Sequence, residues 1–524
     1  MQRLKMTAIN VISTVAVSCS FFSNVFAELP QQFIDSTNTV IETLRKRDCV
    51  LKISVQGQDL NGKTVKIKQL RNDFGFGASI TRKFFNTKDS TKYANTFSEN
   101  FEWATPENEM KWPSNEAADD YQDFEIADSL IAWCQRNDIK VRGHNLFWNE
   151  RREWMPSWSL ELGPADFKDA MARRIDGAVA HFKGRVAHWD VINEIVHFKD
   201  VDGQMQTTRP GLLAQLSGDD KIFSWIFKRA RSLDSNVLMG VNEYSVIEKT
   251  ADYKDYIEEI KDIEANGGKI DVVGLEGHFG DYVERSDYMK KIDTIAKALP
   301  DQMLWLTEVD FDLDTSYEVR ADKMEELVRS AFAYPRIGGF VMWAWWEGNA
   351  WREGISSFLV DSSFNETEIG KRWKNLRNAW RTDTSGLLNS DGEFSFRGFH
   401  GKYVVSVQLA DSLYCDTIYL EPGEGKKSVT AGLTFDTGIR KTGKKQTIGD
   451  HYIFNGKSIT VPGSCNTQEL FLYAYTLSGR LIGKQAVSIK NGVISQSAVL
   501  PPGMHIIKLA AKGQTVYSGI DCNF

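Results

Sequence analysis

Ser286–Leu299, followed by Leu304-Trp305-Leu306-Thr307-Glu308-Val309-Asp310, reads as one complete helix-and-strand unit. In the first part Met289, Ile292, Ile295, Ala296 and Leu299 recur at three- and four-residue steps behind a Ser cap, which predicts an amphipathic helix. In the second, a short apolar and β-branched run stops at a carboxylate, which predicts a buried strand whose end meets solvent. The same alternation runs from about Phe76 to Trp380. Its predicted strands are Phe76–Ile80, Phe97–Ala104, Ile139–Phe147, Val186–Asn193, Val237–Asn242, Val272–Leu275, Leu304–Thr307 and Ile337–Trp343. Eight such units predict an α/β fold of the (β/α)8 TIM-barrel type rather than an open doubly wound sheet.

In such a barrel the chemistry sits where the strands end, and polar residues cluster there. Thr105-Pro106-Glu107-Asn108-Glu109 closes the second strand, and His144 and Asn145 lie near the end of the third. Asn193-Glu194 close the fourth, Asn242-Glu243 the fifth, Glu276 and His278 the sixth, and Glu308 with Asp310 the seventh. Trp343, Trp345 and Trp346 close the eighth. Any one carboxylate could simply be the first solvated residue of a loop. A whole ring of them beside an apolar core is costly unless it is used.

The bulk composition is that of a soluble globular protein: 524 residues, 42% hydrophobic and 25% charged, enough for several folded units. A net charge of -7 argues against nucleic acid as a partner. The 15 Trp supply flat apolar faces for a core or for stacking on sugar rings. Arg3 and Lys5, the apolar stretch from Thr7 to Val25 and Val25-Phe26-Ala27 together predict a cleaved secretory signal over residues 1–27. No other segment approaches transmembrane length. Removal of Cys19 leaves Cys49, Cys134, Cys415, Cys465 and Cys522. An odd number cannot all pair within one chain. Cys134, in a helical run, reads as a small buried hydrophobe. Cys465 and Cys522 flank the C-terminal β-rich segment and are the candidate disulfide. No Cys or His cluster has metal-ligand spacing, and no cofactor is implied.

Glycoside hydrolysis needs two carboxyl groups flanking one glycosidic bond. Glu194, in Trp189-Asp190-Val191-Ile192-Asn193-Glu194, and Glu308 stand at the ends of strands four and seven, where they can face each other across a barrel mouth. Asn-Glu alone is a weak signal. Several segments in order, over roughly Phe74 to Trp380, resemble the motifs of family 10 glycoside hydrolases, best known as endo-β-1,4-xylanases. They are Phe101-Glu102-Trp103-Ala104-Thr105-Pro106-Glu107-Asn108-Glu109-Met110-Lys111-Trp112, Arg142-Gly143-His144-Asn145-Leu146-Phe147-Trp148, the two Glu segments, and the Trp343, Glu347, Trp351 element. The resemblance implies a retaining double displacement, with Glu194 as acid/base and Glu308 as nucleophile. It implies that His278 and Asp310 support the nucleophile. It places Glu107, Asn108, Lys111, His144, Trp148, Asn193 and Glu276 in sugar binding, and Trp343 and Trp351 as aromatic walls of the cleft. The implied partners are xylan or xylo-oligosaccharides.

Two positions depart from the commoner family pattern. Asn149 stands where many members have His, and Glu276 where many have Gln before Gly-His. Both resemble a plant-type branch, as do Asn242-Glu243-Tyr244 and Leu44–Lys52. A third carboxylate near the nucleophile would raise pKa values in the site.

The expected organisation is a signal peptide (1–27), an N-terminal β-containing segment packed on the barrel (28–73), the catalytic barrel (74–382), a small β extension (383–422), a linker (423–449) and a C-terminal β-sandwich (450–524). The tail segments Leu477-Ser478-Gly479-Arg480-Leu481-Ile482 and Leu500–Lys508 resemble C-terminal sorting domains of type IX secretion substrates. That would make outer-membrane secretion machinery a partner; a carbohydrate-binding module or a plain stabilising β-domain are the alternatives. The expected protein is a secreted monomer. A barrel β-glucanase and a catalytically silent sugar-binding protein are the rival readings.

Overall fold

The computed structural model describes residues 29–435 except 87–88, 151, 200–203, 207–210, 249, 281 and 411, and beyond 435 only strand segments between 453 and 523. The predicted signal peptide and the Cys465 side of the candidate disulfide lie outside the described residues.

Eight parallel strands close a barrel in sequence order: Gly75–Ile80, Trp103–Pro106, Lys140–Trp148, His188–Asn193, Leu238–Glu243, Val272–Phe279, Met303–Phe311 and Ile337–Met342. They are numbered one to eight here. Helices wrap the outside, and the apolar faces of both layers merge into one core. The predicted α/β barrel is therefore the observed fold, with two local corrections. Ser90–Asn100 is a helix, and strand two is confined to Trp103–Pro106. Tyr93, Phe97 and Phe101 are spaced by four, a helical step that buries all three against Trp345. The helix after strand six begins at Arg285, with Glu284 rather than Ser286 at its cap position and no capping side-chain bond.

Strands six and seven run further than their apolar cores suggested, and their register positions the site. Leu275 pairs with Leu306, then Glu276 pairs with Glu308 and His278 with Asp310. Thr307 is thus an extra residue, a bulge that brings Glu276 opposite Glu308.

The segments on either side of the barrel in sequence form one unit in space. Lys46–Ser54 pairs antiparallel with Glu393–Phe399 and parallel with Lys427–Gly432. Thr64–Asn72 pairs with Asp383–Leu387 and Gly401–Leu409, and the sheet continues through Ser412–Leu420 to Thr434–Phe435. Alternate residues of these strands, among them Leu51, Ile53, Val65, Ile67, Tyr403, Val405 and Leu420, share a second apolar core that also buries Cys49. The expected linker at 423–449 therefore starts as paired strand up to Phe435, because Val429, Ala431 and Leu433 supply apolar faces to that core. This unit grips the barrel floor. Arg45 donates to the carbonyls of Phe332, Tyr334 and Ile337 at 2.8–2.9 Å. Buried Glu102 accepts from the Asn72 N–H at 3.0 Å and from Arg377 at 2.6 Å.

Cys134 is buried within the helix Glu125–Arg136. Beyond 435 there is a four-stranded antiparallel sheet in the order Leu481–Val487, Leu470–Tyr475, Gly503–Ala511, Gln514–Asn523. A three-stranded sheet joins Ile453–Phe454, Ser458–Thr460 and Val493–Ser495. No helix among the described residues is long and apolar enough to cross a membrane.

Candidate active site

The predicted residues gather at the C-terminal rim in two linked groups. Glu194 follows strand four with φ +54°, a left-handed conformation that costs about 1–2 kcal/mol for a residue with a Cβ. Its N–H donates to the Asn242 carbonyl at 2.7 Å, which holds that turn. Glu243, fully buried, accepts from the Val196 N–H at 2.7 Å and pairs with His197 at 2.8 Å, fixing the chain just beyond. Trp148 Nε1 donates to Glu194 Oε2 at 2.5 Å. Burial pushes the Glu194 carboxyl well above its ordinary value, and the charges of Glu150, Glu243 and Glu308 add to this against the Trp148 hydrogen bond.

Beside Glu194 lies an aromatic and cationic stack. The Trp148 ring lies flat on Trp154 with centroids 4.4 Å apart, and Lys111 Nζ stands 4.3 Å from the Trp148 centroid. Lys111 also donates to Asn108 Oδ1 at 2.9 Å. Glu107 accepts from Asn349 at 2.7 Å and, more loosely, from Asn108 at 3.3 Å. Burial raises the Glu107 carboxyl and lowers the Lys111 ammonium, each partly offset by the other's charge.

Glu308 lies on the opposite side in a different setting. Its Oε1 accepts from Asn242 Nδ2 at 2.7 Å, and its Oε2 is 3.3 Å from His278 Nε2. Arg142, locked bidentate on Asp190, reaches within 3.9 Å of Oε1. Burial alone would raise this carboxyl. The His278 hydrogen bond and the neighbouring positive charge outweigh it and hold Glu308 below its ordinary value. His278 in turn sits 3.0 Å from Asp310, and although burial opposes its charge, Asp310 and Glu308 lift it to about 10. Asp310 also accepts from Trp351 Nε1 at 2.6 Å.

His144 completes this side. Its Nδ1 is 2.8 Å from Asp190 and its ring meets Trp343 edge to face. Burial holds the imidazole below its ordinary pKa. The two expected cleft tryptophans differ. Trp343 is 6% exposed, packed on His144, whereas Trp351 is 45% exposed and presents its ring. Asn193 Oδ1 accepts from Asn242 Nδ2 at 2.9 Å, and Glu276 Oε1 lies 2.6 Å from the same nitrogen.

Asn242 is the residue that sequence reasoning missed as a site member. It closes strand five as Asn193 closes strand four, and that position was the available signal. Arg142 and Asp190 belong to the quoted motifs but gained a role only through their pairing. Trp154 carried no signal, since its stacking partner lies on another segment. Asn149 is buried and structural. It accepts from the Leu213 N–H at 3.0 Å and so ties the helix Leu212–Ser217 to strand three.

Among the described residues one trio, Glu276, His278 and Glu308, brings cation-ligand atoms within 4.8 Å of one another. His278, held protonated by Asp310 and Glu308, is a donor there and does not suit a metal.

A family model described as "Glycosyl hydrolase family 10" matches residues 66–374. The chain is 35% identical over 413 residues to Anti-sigma-I factor RsgI6 of Acetivibrio thermocellus, covering 78% of this chain and 50% of that protein. It is 30% identical over 391 residues to Endo-1,4-beta-xylanase 3 of Arabidopsis thaliana, covering 73% and 49%. The chain thus spans about half the length of these curated relatives. Xylanase 10B from Thermotoga petrophila RKU-1, solved in complex with xylobiose, shares the fold with a TM-score of 0.52 at 23% identity, covering 59% of this chain and 94% of that one. With more than half its residues matched by the family model, the chain belongs to glycosyl hydrolase family 10.

Proposed function

We propose that this protein is a secreted, retaining endo-β-1,4-xylanase that cleaves internal bonds of xylan through a covalent glycosyl-enzyme. The observation that carries the reading is the opposite tuning of two buried rim carboxyls, Glu194 upward and Glu308 downward. A protonated acid facing an ionised nucleophile is the pairing that glycoside hydrolysis requires. Because Trp148 occupies Glu194 Oε2, the transferable proton sits on Oε1. Glu194 gives that proton to the leaving glycosidic oxygen while Glu308 attacks the anomeric carbon. Esterification removes the negative charge on Glu308, one of the charges that raise Glu194. The Glu194 pKa then falls, and as a carboxylate it takes a proton from the water that releases the sugar. His278 and Asp310 keep the nucleophile ionised. Glu107, Asn108, Lys111, His144, Trp148 and Asn193 provide polar and stacking contacts for the glycone side, and Trp343 and Trp351 flank the cleft.

Export rests on the N-terminal pattern, and the C-terminal β-rich segment is read as a sorting or carbohydrate-binding domain. One relative is named as an anti-sigma factor rather than a hydrolase. The rival reading remains a barrel that binds sugar without cleaving it. Reducing-sugar release from xylan, barley glucan and carboxymethylcellulose separates the possibilities. The proposal expects release from xylan that Glu308→Ala abolishes. Action on glucan alone sinks the xylan assignment, and equal background release by wild type and Glu308→Ala leaves the binding reading. Proton NMR of the first product is expected to show the retained anomer, matching carboxyl groups about 5–5.5 Å apart.

A further inference from the structure

One amide nitrogen faces three oxygens. Asn242 Nδ2 lies 2.6 Å from Glu276 Oε1, 2.7 Å from Glu308 Oε1 and 2.9 Å from Asn193 Oδ1. An amide nitrogen has two hydrogens, so it cannot satisfy all three. Turning the amide over does not help, because Asn242 Oδ1 already accepts from Thr307 Oγ1 at 2.5 Å. Two carboxyls therefore share one donor in a site where Glu276 is 1% and Glu308 5% exposed. Like charges so placed cannot both be ionised without a large penalty. Glu308 has His278 at 3.3 Å and Arg142 at 3.9 Å. Among the described residues, the only cationic group within 4 Å of Glu276 is His278, at 3.7 Å.

We infer that Glu276 is held as the neutral acid and serves as a positioning residue, keeping the Asn242 amide on Glu308 while leaving Glu308 the sole negative charge at that point. This rests on the reading of Glu308 as nucleophile. The groups facing Glu276 agree with it. Glu308 comes from strand seven, Glu194 from beyond strand four, Glu243 from strand five and Arg142 from strand three, with His278 on its own strand; Tyr256 behind it is uncharged. Burial, then Glu308, Glu194 and Glu243, lift the Glu276 carboxyl well above its ordinary value, with Arg142 opposing. A Gln would present the same neutral outline, which makes it the conservative stand-in for protonated Glu276. If Glu276 ionised, its charge would raise the Glu308 pKa and compete for His278.

The test is Glu276→Gln in the full chain, read in two ways. The first is the unfolding equilibrium from urea titrations at several pH values. A folded-state carboxyl that keeps its proton above the unfolded value loses stability as pH rises. The wild-type unfolding constant, divided by that of Glu276→Gln, is expected to climb about tenfold per pH unit above about pH 5. A flat ratio overturns the inference. The second is the pH profile of kcat/KM on xylan: because a neutral group replaces a neutral group, the acidic limb that reports Glu308 is expected to keep its place whatever the change in rate. A limb that moves down in pH in the variant means that wild-type Glu276 carries a charge beside Glu308, and also overturns it. Absence of any wild-type cleavage would fall on the nucleophile reading instead, while the unfolding comparison still reports the proton on Glu276.

Discussion

His278 Nδ1 lies 3.0 Å from Asp310 Oδ2, and the two residues face each other across barrel strands six and seven. The pairing holds a positive charge on the imidazole, lifted to about 10, whose other nitrogen meets Glu308. The strand register thus carries charge from a wholly buried aspartate to Glu308.

Replacing that charge is expected to shift the acidic side of the activity profile. Glu308 lies below its ordinary value, so it stays ionised until pH falls beneath that value. His278→Gln removes the main lowering influence, and the acidic limb of kcat/KM should move up in pH. A charge-assisted hydrogen bond is worth about 1.5–3 kcal/mol, which predicts a loss of about ten- to a hundredfold at neutral pH. Initial rates from pH 3 to 8 check both. An acidic limb that stays in place removes His278 from this role.

The other carboxyl should respond on the alkaline side. The Trp148 hydrogen bond favours the ionised form of Glu194, so Trp148→Phe is expected to raise its pKa further and move the alkaline limb upward. Phe retains a ring against Trp154, and kcat should fall by no more than about tenfold, a single hydrogen bond's worth. A downward move of that limb contradicts the assignment.

Glu194→Ala should separate leaving groups. A positioned general acid contributes about 10²–10⁴-fold, and only where the leaving group needs a proton. The variant is expected to lose that factor on xylan yet to form the glycosyl-enzyme at near wild-type rate from a dinitrophenyl glycoside. Pre-steady-state bursts of dinitrophenol provide the measurement. Equal losses on both substrates argue against an acid role.

Beneath the barrel, Arg377 and Glu102 form a buried pair at 2.6 Å. Arg377→Leu leaves buried Glu102 with the Asn72 N–H at 3.0 Å and Arg381 at 3.7 Å and is expected to cost about 3 kcal/mol, whereas Glu102→Gln with Arg377→Leu should recover much of it. Urea denaturation of the single and double variants checks the difference. Additive losses would mean that the two residues are not coupled.

Truncation probes the two-part β unit. A chain ending after Trp380 loses the partners of Lys46–Ser54 and Thr64–Asn72 and exposes Leu51, Val65 and Ile67, so it should be insoluble. A chain ending after Phe435 keeps every strand of both sheets and should remain folded. Soluble expression and circular dichroism distinguish them, and a well-folded barrel ending at Trp380 would contradict the shared core.

The sequence by itself determined the barrel class, the placing of Glu194 and Glu308 toward the C-terminal side of strands four and seven, and the family, because side-chain period and the carboxylates that follow an apolar run are local properties. It misread Phe97–Ala104, where an aromatic run served a helix as well as a strand. Only the tertiary structure decided which distant residues converge. It joined strands at 46–72 to strands at 383–435 through one core, and laid Trp154 on Trp148. It made Asn242 the donor between Asn193, Glu276 and Glu308. The reason is register. The single extra residue Thr307 sets Glu276 opposite Glu308 and His278 opposite Asp310, and a one-residue slip would turn those side chains to opposite faces. The residue types are written locally, but their meeting point depends on how the closed sheet aligns.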